Sequence, residues 1–199
     1  MEPKKRKPLS AYSIALGVIA LAFLAGLTLG SLLSIKGGEA ADGAIAGYLS
    51  PLTQNGVPRP DAVRVTLNTF FFPALCFALG FAIPGVALIP LAVLTRGFLI
   101  AYSASSFARV FGAVDGTIFS LSLFGIPLLL SLPCLLWIGT HGLMNSTALL
   151  GSAHRKIGVS LHMKTGLIRF GIALCALAVS AAVEIFLCPI LAAIAVQRL

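Results

Sequence analysis

The chain has 199 residues, of which 58% are hydrophobic and only 10% charged, and it carries a formal net charge of +8 with a mean hydropathy of +1.02. Soluble domains hold about 45–50% apolar and about 25% charged residues, so a water-soluble fold of this length is excluded: it could not hide so much apolar surface, and lipid must be the solvent. The positive charge does not argue for nucleic acid, because the basic residues gather in short segments between apolar runs, as the positive-inside rule describes.

The start, MEPKKRKPL, has the composition of a nuclear-import signal or of the charged front of a signal peptide. The run after it, Ala11 to Ile35, carries no charge. A secretory apolar region is about 7–15 residues long, so this longer run predicts an uncleaved first membrane helix over 11–34. Lys4, Lys5, Arg6 and Lys7 would hold its start in the cytoplasm. Gly26 and Gly30, with Ala22 one turn earlier, form a stripe of small residues that permits close helix contact.

The polar segment 36–64, rich in Gly and Pro, reads as the largest loop outside the membrane, with one short helix near 40–48. The apolar tract that follows is long enough for two crossings. Pro84-Gly85 is the place for a tight turn between them, which gives helices over 65–82 and 86–107. A fourth helix spans 117–139 with Pro127 and Pro133 inside it, where neighbouring helices can re-satisfy the freed carbonyls. The segment 140–169 turns polar and basic and reads as cytoplasmic, and a fifth helix follows over 170–195. Within the basic segment, the apolar positions of 142–164 suit either an amphipathic helix on anionic lipid or a solvated loop.

The expected fold is therefore all-α: one polytopic membrane bundle over 11–199 behind a basic N-terminus (1–10), with five crossings, N-terminus inside and C-terminus outside. Eight of the fourteen Lys and Arg then lie inside, five outside and one, Arg96, within the bilayer, while four of the six acids lie outside.

Two charges fall inside expected spans, Arg96 and Glu184, each near the midpoint of its helix. At about 1.5 Å per residue both sit close to the bilayer centre, where an isolated charge costs about 2.5–3.5 kcal/mol or more. Equal depth and opposite sign point to a structural pair, with Thr95, Tyr102 and Ser103 as further polar neighbours. The plainer alternatives are an Arg96 that snorkels to the cytoplasmic surface and a protonated Glu184 hydrogen-bonded to a neighbouring helix. His141, His154 and His162 read as solvated loop residues. Cys76, Cys134, Cys175 and Cys188 lie in apolar runs without a C-x-x-C pair and read as packing residues. No nucleophile set, phosphate loop or metal-ligand spacing is visible, so neither a cofactor nor a catalytic role is expected.

The order of features resembles the stage II sporulation protein M family. A basic start and one helix precede a long outer loop, and then comes GFAIPGVALIPLAVLTRGFLIAYSASSFARVFGAVDG. This tract resembles the family's Gly–aliphatic–Gly stretch ending in a basic residue and Gly, here Gly80, Gly85, Arg96 and Gly97. The last helix, VEIFLCPIL, resembles the family's Glu with Pro five residues later, here Glu184 and Pro189. Where the family tends to carry Pro and a polar pair in the fourth helix, this chain has Pro127-Leu128-Leu129.

The resemblance implies a non-enzymatic scaffold in the septal or engulfing cell membrane of endospore-forming bacteria. Its partners would be a lytic transglycosylase and an amidase-type hydrolase on the outer face, where loop 36–64 is the candidate contact. Membrane lipid is the surrounding partner, a homo-oligomer is open, and nucleic acid is not expected. The alternative drawn from the residues alone is a small permease or channel-like subunit that uses Arg96 and Glu184 in a polar path.

Overall fold

The structure is a computed structural model that describes residues 11–36, 62–121, 125–155 and 163–196. Among these residues the chain forms five long helices and one short one: α1 (Ala11–Lys36), α2 (Ala62–Leu79), α3 (Gly85–Phe111), α4 (Ala113–Ser120), α5 (Ile126–Arg155) and α6 (Met163–Val196). The stretches Ala11–Ile35, Gly85–Arg109 and Pro127–Ser152 are long and apolar enough to cross a membrane, and Thr66–Leu79 and Phe170–Phe186 are shorter apolar helices. Large apolar side chains cover the outside, among them Leu21, Leu32, Leu67, Leu129, Ile172 and Phe186. Soluble monomers rarely expose contiguous apolar patches of more than a few hundred Å², so this surface is consistent with a membrane protein.

Contacts between helices fix their directions. Gly26 lies against Leu94, Gly30 against Phe98 and Tyr102, and Ser34 against Ser106; the numbers rise together, so α1 and α3 are parallel. Likewise Gly80 meets Gly142 and Ser146 meets the carbonyl of Ala82, while Thr69 and Phe72 share a small cavity with Ser131 and Leu135. That makes α2 and α5 parallel. Against α2, α6 runs backwards, with Thr69 beside Glu184 and Phe77 stacked on Phe170 at 3.9 Å. α1, α3 and α6 thus point one way and α2 and α5 the other, so direction alternates along the chain.

A shared interior explains the arrangement. Ile19 of α1, Cys76 of α2, Ile89 and Val93 of α3 and Leu177 of α6 are fully buried, with Leu135, Ile138 and Leu143 of α5 beside them. Each helix sends a narrow apolar or small-residue strip inward and leaves the rest of its circumference greasy. Buried hydroxyls satisfy themselves within this setting: Ser34 and Ser106 hydrogen-bond across α1 and α3 at 3.1 Å, and Thr140 donates to the Leu136 carbonyl at 2.7 Å. Interhelical bonds such as the Ser34–Ser106 one average about 0.6 kcal/mol in membrane bundles.

Pro84-Gly85 does make the turn between α2 and α3, closed by backbone bonds such as Gly80 N–H to the Cys76 carbonyl and Gly85 N–H to the Ala82 carbonyl, both at 3.1 Å. The later boundaries differ from expectation. The helix expected over 117–139 is divided into α4 and α5, and α5 continues through 140–155, inside the segment expected to be a basic cytoplasmic loop. The physical reason is size. Gly139, Thr140, Gly142 and Ser146 are buried, and they are small enough to bring α5 against α2 and α3. Ser146 Oγ donates to the carbonyls of Ala82 and Ile83 at 2.7 and 3.2 Å and so caps the α2–α3 turn. Polarity reads as loop in the sequence but acts as packing here. α6 likewise begins at Met163, ahead of the expected 170.

At the far end of α3, Gly112 takes a φ of +90°, a left-handed value that a Cβ disfavours. It reverses the chain so that α4 folds back on α3, with Gly116 packed on the backbone of Phe107 and Ala108. The basic N-terminus (1–10), most of the expected outer loop (37–61) and residues 156–162 lie outside the described residues.

Candidate functional site

The two charges expected to meet do face one space. Arg96 stands in the middle of α3, about 16 Å along the helix from Gly85 and about 22 Å from Phe111 at about 1.5 Å per residue. It is half-buried, which is not the position of an arginine snorkelling to a helix end. Glu184 of α6 is also half-buried. Both line a recess of about 130 Å³ together with Asn68 of α2, Leu99, Ile100 and Ser103 of α3, and Pro127, Leu128 and Ser131 of α5.

The charges are held by α2 rather than by each other. Arg96 Nη1 donates to Asn68 Oδ1 at 3.4 Å, and its guanidinium carbon sits 5.4 Å from the centroid of the Phe72 ring, a distance at which the ring face attracts a cation. Thr69 Oγ1 donates to Glu184 Oε2 at 3.2 Å. Asn68, Thr69 and Phe72 fall on neighbouring positions of one helix turn, so a single stripe of α2 steadies both groups. Between arginine and carboxylate the interaction is through space. α3 and α6 are themselves not packed on one another to any extent, whereas α2 and α5 each pack against both.

Local structure around the recess follows from proline and hydroxyl chemistry. Pro73 in α2 lacks the N–H that would bond the Thr69 carbonyl, which loosens the backbone beside the carboxylate's partner. Leu121 and Gly125, between α4 and α5, are in π-helical conformation, and the first turn of α5 forms part of the recess wall through Pro127 and Leu128. Ser180 of α6 donates to the Pro127 carbonyl at 2.9 Å and fixes that turn against α6.

The remaining residues singled out in the sequence have other places. Gly26, Gly30 and Gly97 form the α1–α3 seam: a Cβ at Gly26 would strike the Leu94 carbonyl, one at Gly30 the Phe98 carbonyl, and one at Gly97 would come within 2.6 Å of the Phe23 carbonyl. Gly80 and Gly85 serve the α2–α5 seam and the turn, and a Cβ on Gly80 would lie 2.8 Å from Gly142 Cα. Pro133 is exposed on α5. Pro189 falls within α6, and its side chain lies outside the described residues.

Of the expected polar neighbours only Ser103 reaches the recess. Thr95 is exposed and bonds the Leu91 carbonyl of its own helix at 2.9 Å, and Tyr102 stacks on Phe98 at 5.8 Å. His141 is not a loop residue. It is half-buried in α5, with the rings of Tyr12 and Trp137 each 5.7 Å away. Cys76 is buried, Cys134 half-buried and Cys175 exposed, all as free thiols. Among the described residues no group of three His, Cys, Asp or Glu side chains converges.

Sequence reasoning missed Asn68, Thr69 and Phe72. Their signal was present, since an Asn-Thr pair in an otherwise apolar helix needs partners, but only the alignment of α2 between α3 and α6 names those partners. Compared with known family models, curated proteins and solved structures, the chain matches none.

Proposed function

We propose that the protein is a non-enzymatic integral membrane scaffold with five crossings, N-terminus inside and C-terminus outside. The observation that carries this reading is the alternation of helix directions. It brings the end of α1, the start of α2, the α3–α4 elbow and the end of α6 to one face of the bundle, opposite the α2–α3 turn and the basic 155–164 region. By the positive-inside rule that first face is outside, and the connection 37–61 is its largest element.

The sequence resemblance to the stage II sporulation protein M family supplies the partner class. In an endospore-forming cell the outer face would hold a lytic transglycosylase and an amidase-type hydrolase at the septal membrane during engulfment. Backbone-to-backbone seams at Gly26, Gly30, Gly80 and Gly97 suit that role, because a platform for other proteins benefits from helices that do not slide.

The test is photo-crosslinking from positions within 37–61 in sporulating cells. Capture of a cell-wall hydrolase supports the scaffold; capture of none in cells that contain the protein overturns it.

A further inference from the structure

We propose that the recess between α3 and α6 is a binding site for a small zwitterion, a solute of about glycine's or alanine's size that carries one carboxylate and one ammonium group. Arg96 and Glu184 stand on opposite walls, and each is anchored sideways to α2, through Asn68 and Phe72 for the cation and Thr69 for the anion. A pair whose task was only to neutralise itself would close into a bidentate contact, the strong geometry available to arginine and carboxylate. Here a space of about 130 Å³ lies among the same residues, several times the about 10–15 Å³ that holds one water molecule on the same measure.

The walls between the two charges are polar where a zwitterion needs partners. Asn68, Ser103 and Ser131 offer an amide and two hydroxyls. The third wall is formed by Pro127 and Leu128 of α5. The carboxylate of the solute would sit against Arg96, and its ammonium against Glu184. α3 and α6 are spaced to admit it without separating a packed seam.

The experiment uses the full chain reconstituted in lipid nanodiscs, with radiolabelled glycine and L-alanine as probes and acetate and methylammonium as single-charge controls. The expected result is saturable binding of at least one zwitterion, not displaced by a hundredfold excess of either control. Arg96→Gln and Glu184→Gln should each weaken it at least tenfold. Since those changes also touch folding, Ser131→Leu and Ser103→Leu provide a second line: each fills the recess with hydrocarbon, and each should abolish binding while helical content and monodispersity stay as in the parent. Absence of saturable binding by the parent protein overturns the proposal. So does binding that survives both filling substitutions, or equal competition by acetate alone, which would make the recess a simple anion site.

Discussion

Two sides of α3 follow opposite rules. Toward α1 the helix is welded: Gly97 meets the Phe23 carbonyl, and Gly26 and Gly30 accept the backbone of Leu94 and Phe98. Toward α6 the same helix presents Arg96 and Ser103 to a polar recess and makes no seam. The first side spends glycine to gain close packing, which is the main attraction between helices where lipid removes the hydrophobic drive. The second keeps two charges apart and fastens each to α2. One helix can therefore be rigidly placed and still border an open polar space, and the division falls between adjacent residues, Arg96 and Gly97.

Substitutions should separate these two sides, and the largest effect belongs to the seam. Gly26→Leu drives a side chain into the Leu94 backbone, which cannot yield as a flexible side chain would. A loss of about 3 kcal/mol is expected, at the upper end for overpacking, read as a fall in thermal unfolding temperature of the purified protein. A change no larger than that of a surface substitution would mean the seam is not a tight contact.

Next comes the charge pair. A double-mutant cycle on Arg96→Gln and Glu184→Gln should give a coupling of about 1 kcal/mol, within the range for neighbouring residues. It should stay well under the roughly 3–5 kcal/mol lost when a buried, directly bonded pair is broken. A coupling of the larger size would turn the recess into a second weld. Thr69→Val should cost about 0.6 kcal/mol, one interhelical hydrogen bond by the membrane average, and the loss should vanish in a Glu184→Leu background, which leaves the hydroxyl no acceptor there. The smallest effect is expected at Gly17, where a Cβ meets nothing within 4 Å: Gly17→Ala should move stability by less than about 0.5 kcal/mol, against the large loss at Gly26 on the same helix.

The sequence made the all-helical class, the first helix, the Pro84-Gly85 turn and the placing of Arg96 and Glu184 on one space legible, though not that they stay apart, because each rests on a strong local signal: an uncharged run, a breaker pair, or the rarity of charge in an apolar span. It did not reveal that α5 runs on to Arg155, since Thr140, His141, Asn145 and Ser146 look like loop residues, whereas in the fold Thr140 bonds the Leu136 carbonyl of its own helix, His141 meets the Tyr12 ring of α1 and Ser146 bonds the carbonyls of the α2–α3 turn. Nor did it reveal the elbow between α3 and α4, where Gly112 takes a positive φ and redirects the chain. The partners of the two charges were hidden for the same reason. Which helix lies between two others is a property of assembly, and no spacing within α3 or α6 points to Asn68 or Thr69.

The central claim, alternating passes that carry 37–61 to the outside and the α5–α6 connection to the inside, is most directly tested by labelling from one side of the membrane. With the four native cysteines replaced by alanine, Asp42→Cys and Lys156→Cys are each exposed to a membrane-impermeant maleimide in intact cells and again after permeabilisation. The account predicts that position 42 is labelled in both conditions and position 156 only after permeabilisation. Labelling of both positions in intact cells, or of 156 alone, would contradict it.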